Sequence, residues 1–143
     1  MEKSGLILEG GGLWGVFSSG VLDYMMENDI VFPYVIGVSM GALNGASYVS
    51  KQIGRSLRVP MTFMGDSRYL SLKNFIIEGS YFGMNFIFDK IVNELDPFDF
   101  DSFEKSNQRF IAVAANCNTG TPEYFDKDNT ERYKMLQALM ASS

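Results

Sequence analysis

The sequence predicts an α/β domain built around parallel strands. Three observations carry that expectation. An apolar run at residues 31–36 leads into Gly37-Val38-Ser39-Met40-Gly41 and then into a small, helix-compatible run at 42–49, which reads as strand, sharp turn, helix. Residues 5–9 lead in the same way through Gly10-Gly11-Gly12-Leu13-Trp14-Gly15 into a helical stretch ending near Glu27, with apolar residues at 17, 21, 24 and 25. Residues 109–115 read as a buried strand, 118–121 as a turn and 122–126 as a returning strand, which together make a hairpin.

The first element, residues 5–9, reads as a short buried strand. The glycine loop after it sends several backbone N–H groups into one space, at the positive end of the helix that follows. Two chemistries use such a loop. Gly10, Gly12 and Gly15 satisfy Gly-x-Gly-x-x-Gly, but a dinucleotide site also wants an acid ending the second strand. Asp29 falls before that strand, and the strand ends in Gly-Val-Ser-Met-Gly instead. The other chemistry is an oxyanion hole, where each donor contributes about 3 kcal/mol to the transition state of acyl transfer. A donor loop after the first strand and a serine turn after the second lie side by side in a parallel sheet, and this pairing favours the oxyanion reading.

The second element carries the nucleophile candidate. A serine at the apex of a strand-to-helix turn sits in a strained conformation, and glycines at 37 and 41 remove the side chains that would crowd it. The Ser39 hydroxyl then stands at a helix N-terminus, which favours a developing alkoxide. Serine and glycine each number 14 in 143 residues, so a Gly-x-Ser-x-Gly match arises by chance about one time in eight. The motif alone is therefore weak, and its context carries the argument.

The middle of the chain is less regular. Arg55 and Arg58 flank Leu57 and read as a solvated face, and Pro60 interrupts any helix there. Residues 74–88 are dense in aromatic and aliphatic side chains and read as core in preference to an acyl-chain channel. Asp89, Glu94, Asp96, Asp99 and Asp101 read as surface and caps, with no calcium-ligand spacing. Thr130 is the expected cap of a last helix starting near Glu131.

Composition narrows the function classes. One domain spanning 1–143 is the default at this length. A net charge of −5 without a basic stripe argues against nucleic acid. The single cysteine, Cys117, makes no internal disulfide or metal pair and reads as a small buried hydrophobe, so no metal or other cofactor is expected. Residues 1–8 lack the apolar length of a signal peptide and no run reaches a membrane span, so a cytoplasmic location is the default. There is no histidine, so a Ser-His-Asp triad is impossible and any base for Ser39 is a carboxylate, a lysine or a group from elsewhere.

The glycine loop at 10–15 followed by Gly37-Val38-Ser39-Met40-Gly41 resembles the patatin-like phospholipases, the bacterial branch above all. The likeness extends through residues 67–71, 79–83, 93–99 and 118–120. It implies a three-layer α/β/α fold, hydrolysis of lipid acyl esters and a Ser-Asp dyad without histidine. It assigns Ser39 as nucleophile, Gly37, Met40 and Gly41 to the elbow, and Gly10, Gly11, Gly12 and Gly15 to the oxyanion hole. The chain departs from the family pattern at Trp14, where many members carry Arg or Lys. It also has no Asp-Gly pair, the motif that holds the family's aspartate, and it stops in an apolar helix ending Ala141-Ser142-Ser143. The expectation is therefore a C-terminally incomplete domain with little or no turnover of its own, its open sheet edge favouring self-association. Asp126 and Asp128 are the substitute bases to check. The expected partners are a lipid or other acyl ester and a membrane surface. The rival classes are a non-catalytic lipid-binding domain of the same fold and a nucleotide-binding module.

Overall fold

The structure is a computed structural model that describes residues 4–143. The first three residues, part of the stretch read as no signal peptide, lie outside the described residues. The chain forms two compact units, one from the residues up to Ser56 together with Asp99–Ser143, the other from Leu57–Phe98.

The first unit holds a four-stranded sheet in the order β1-β2-β3-β4. Its strands are β1 (Gly5–Leu8), β2 (Tyr34–Val38), β3 (Arg109–Ala115) and β4 (Pro122–Asp126). β1 pairs parallel with β2, and β2 parallel with β3, while β3 and β4 form the antiparallel hairpin read from the sequence. Helices flank the sheet, which is the mixed α/β/α arrangement expected. After β1 come a 3-10 turn (Gly12–Trp14) and α1 (Gly15–Glu27). After β2 comes α2 (Met40–Val49), which lies against β1, β2 and β3 and carries α1 on its side. α5 (Phe100–Lys105) precedes β3, and α6 (Arg132–Ser142) packs on β3 and β4.

The core sits between α2 and the sheet. α2 presents Gly41, Ala42, Gly45, Ala46 and Val49, all buried and at helical spacing. A Cβ on Gly45 would press on Phe110, Leu8 and Val35, so the helix rides close on strand side chains. Val35, Phe110 and Ala112 are wholly buried, and Phe110 meets Phe103 of α5 edge to face at 5.2 Å. Truncating Phe110 to alanine would cost about 3–5 kcal/mol on the usual scale for buried aromatics. At the far end of α2 the Tyr48 phenol donates to Ile30 C=O (2.6 Å) and accepts from Phe32 N–H (3.1 Å). Burial raises its pKa above the ordinary tyrosine value. Lys127 is buried and caps the C-terminus of α5, donating to Ser106 C=O at 2.9 Å.

The second unit takes in α3 (Arg55–Phe63) from Leu57 onward, then α4 (Leu72–Glu78) and a π-helical stretch, Phe86–Leu95. Phe63, Tyr69, Phe82 and Phe86 interlock, with Tyr69 edge to face on Phe82 at 5.9 Å and Phe63 on Phe86 at 5.8 Å. Arg58 pairs with Asp96 at 2.6 Å. Ser71 caps α4 and Asp99 caps α5 through their side chains, the latter as the sequence reading had it.

Several local expectations are corrected. β1 is covered on one face only: Leu6 and Leu8 are partly buried, whereas Ile7, on the opposite face, is 82% exposed. Phe17, Val21 and Tyr24 of α1 are exposed, and the buried residues are Ser19 and Leu22. Pro60 lies inside α3: its fixed φ suits the helix, although it forgoes the bond to the carbonyl four residues earlier and its ring crowds that carbonyl. Ile76 and Ile77 are exposed, so residues 74–88 are only partly core. Cys117 is exposed because it falls at the hairpin tip, between Asn116 and Thr121. Thr130 is not the cap of α6, since the helix begins at Arg132 and the capping position falls on Glu131.

Candidate active site

Ser39 lies at the junction of β2 and α2 with φ 54° and ψ −130°. A non-glycine residue at positive φ is strained, and a strand-to-helix turn that aims a serine outward demands that strain. The close approaches explain the flanking glycines in more detail than crowding around Ser39 does. A Cβ on Gly41 would collide with the carbonyl oxygens of Leu8 and Glu9, so α2 starts in direct main-chain contact with the end of β1. A Cβ on Gly37 would sit 2.6 Å from Gly41 C=O, because the elbow folds back on its own strand.

The main chain of Ser39 is engaged at both its C=O and its N–H. Ser39 C=O accepts from Ala42 N–H (2.8 Å) and Leu43 N–H (3.2 Å). Ser39 N–H donates to Ser142 Oγ at 2.7 Å. The Ser39 side chain is half-buried, and among the described residues its Oγ has no hydrogen-bond partner.

The glycine loop lies against this serine. A Cβ on Gly10 would be 3.0 Å from Ser39 Cβ and 3.7 Å from Ser39 Oγ. Gly12 adopts φ 53°, a conformation that side chains disfavour. Within the loop, Trp14 N–H donates to Gly11 C=O at 3.1 Å. The Gly15 amide is turned onto the carbonyls of Gly12 and Leu13, which takes Gly15 out of the set of free donors expected from the sequence. Gly15 serves packing instead, because a Cβ there would collide with the Met40 side chain. Asn44, buried on α2, donates through Nδ2 to Gly15 C=O at 2.8 Å and so ties the start of α1 to the serine helix. The first N–H groups of a helix have no partner within it, which leaves Met40 and Gly41 of α2 and Gly12 and Leu13 of the 3-10 turn as donors at this end of the sheet.

Among the described residues no carboxylate hydrogen-bonds the Ser39 hydroxyl. Asp126 faces Ile111 in the β3–β4 register and is held by Arg109 at 2.7 Å, toward the opposite end of β3 from Val113, which pairs with Val38. Asp128 pairs with Lys127 at 3.1 Å. The two acids considered as substitute bases are thus committed elsewhere.

The family model for the patatin-like phospholipases matches residues 6–143 of the sequence. The chain belongs to the patatin-like phospholipase family. Among curated proteins it is similar to an uncharacterized protein, YjjU, of Escherichia coli (strain K12), at 26% identity over 124 residues, 84% of this chain and 34% of that protein. The chain thus spans about a third of the length of the curated relative it matches. Among the described residues no helix is long and apolar enough to cross a membrane.

Sequence reading of this patatin-like chain missed two polar side chains at the site, Asn44 and Ser142. Asn44 stood in plain view five residues after the serine, in a helix otherwise of small and apolar side chains, where an amide signals a buried hydrogen bond. Ser142 carried no local signal, being one of 14 serines and 103 residues from its partner.

Proposed function

We propose that this chain carries the nucleophile and oxyanion half of a serine-dependent lipid acyl-ester hydrolase. Ser39 Oγ attacks the ester carbonyl. N–H groups of the loop Gly10, Gly11 and Gly12, with the first amides of α2, receive the oxygen as it becomes negative. The proton of Ser39 passes to the aspartate of a Ser-Asp dyad, which is not among these 143 residues. The observation that carries this reading is the strained Ser39 backbone at the β2–α2 junction with Gly10 pressed against its Cβ. Family membership supports the lipid ester as substrate. Leu13, Trp14 and Phe17, exposed beside the loop, support contact with a lipid surface, since an indole has an apolar body and a polar edge.

The test reads the gene past codon 143 and compares this chain with any longer polypeptide encoded there, using a short p-nitrophenyl ester. The 143-residue chain is expected to show little or no turnover. The longer polypeptide is expected to hydrolyse the ester, and Ser39→Ala to lower kcat by about 10⁴-fold or more. Turnover of the longer polypeptide that survives Ser39→Ala would overturn the reading.

A further inference from the structure

The Ser142 hydroxyl bridges two main chains. It accepts from Ser39 N–H at 2.7 Å and donates to Val113 C=O at 2.6 Å. The directions are forced, because an amide N–H only donates, a carbonyl only accepts, and a hydroxyl has one proton. The bridge joins the elbow, β3 and the last turn of α6. Val113 is the register partner of Val38, so the bridge closes where the β2–β3 ladder ends and the strained turn begins. The neighbouring Ser143 behaves differently, since its hydroxyl turns back onto Leu139 C=O within the helix at 2.9 Å.

We infer that Ser142 is a positioning residue for Ser39. It locks the main chain of the elbow to β3 and withdraws the Ser39 amide from the oxyanion site, so the oxyanion is left to the glycine loop and to the amides after Ser39. The lock is a property of the fold; its catalytic consequence rests on the reading of Ser39 as nucleophile.

Hydrogen exchange followed by NMR on this chain tests the lock without requiring turnover. In the unaltered chain the Ser39 amide is expected to exchange at least about tenfold more slowly than those of Met40 and Gly41, which begin the helix without intrahelical partners. Equal exchange at the three positions would overturn the proposal even if no variant folded. Ser142→Ala is expected to speed Ser39 exchange about tenfold, Ser142→Thr to restore protection by returning the hydroxyl, and Ser143→Ala to change nothing. The amides of Val35 and Ile111, inside the sheet, are expected to hold their rates. Ser39 exchange unchanged in Ser142→Ala, or Val35 and Ile111 accelerating by the same factor, would overturn it. In the longer natural polypeptide Ser142→Ala is expected to lower kcat about tenfold with KM nearly unchanged, and Ser142→Thr to recover it. Activity that survives Ser39→Ala would sink the nucleophile reading and leave the exchange result standing, so the two fail separately.

Discussion

After β2 the chain turns at Ser39 and enters a helix whose residues from Asn44 to Val49 are all buried. After β1 it turns through Gly10, Gly11 and Gly12 and enters a helix that buries Ser19 and Leu22. Both turns follow parallel strands and both end at helix N-termini, yet they are held differently. The elbow is wedged by main chain against main chain, with Gly41 on the carbonyls of Leu8 and Glu9, and is bridged to β3 by Ser142. The loop touches the elbow at Gly10 and is tied by one side chain, Asn44, while Trp14 at its tip is 88% exposed. The difference teaches that Ser39 is fixed by the core, whereas the glycine loop is carried at the core's margin.

Gly41→Ala would break this comparison on its firmer side. The added methyl meets peptide carbonyls that cannot swing away, so a loss of about 3 kcal/mol or more is expected in urea unfolding. An unchanged midpoint would mean that α2 can back off from β1 and that the elbow is not wedged. Gly10→Ala probes the seam between the two turns. Its methyl would lie 3.0 Å from Ser39 Cβ, so a displacement of a few tenths of an ångström is expected to leave stability within about 1 kcal/mol. Ester turnover of the longer polypeptide is nonetheless expected to fall about tenfold. Turnover equal to the parent's would detach the loop from the chemistry. Trp14→Ala probes the margin alone. At an exposed position, stability should shift by no more than about 0.5 kcal/mol, while partitioning onto phospholipid vesicles weakens. Undiminished partitioning would remove Trp14 from the lipid-facing surface.

The parts of this architecture visible in the sequence are those written in short windows. The β2–elbow–α2 unit, the glycine loop after β1 and the β3–β4 hairpin each announce themselves within about 20 residues, through apolar runs and obligatory turn residues. What lies between elements was not legible. Periodicity shows that a helix exists but not which neighbour covers it, so Phe17, Val21 and Tyr24 of α1 proved to face solvent while Leu22 is buried, and Ile7 proved to be exposed. Composition treats Cys117 as a hydrophobe, and only the position of the hairpin tip shows that it is exposed. Proline at position 60 reads as a breaker because the sequence does not tell whether the forgone hydrogen bond is affordable in place. At the site, local geometry named Ser39 and Gly10, whereas Ser142 arrives from 103 residues away, where no window reaches.

α2 itself has a consequence for the life of the molecule. Its sequence, MGALNGASYV, is poor in strong helix formers, since the small residues that bring it against the sheet are the ones that weaken it as a free helix. It is a helix because it is docked, pinned at one end by main-chain contact with β1 and at the other by Tyr48 on Ile30 and Phe32. A chain still leaving the ribosome, or one opened by heat, has no such dock and therefore no poised serine. The reactivity proposed for Ser39 is thus tied to assembly of the sheet.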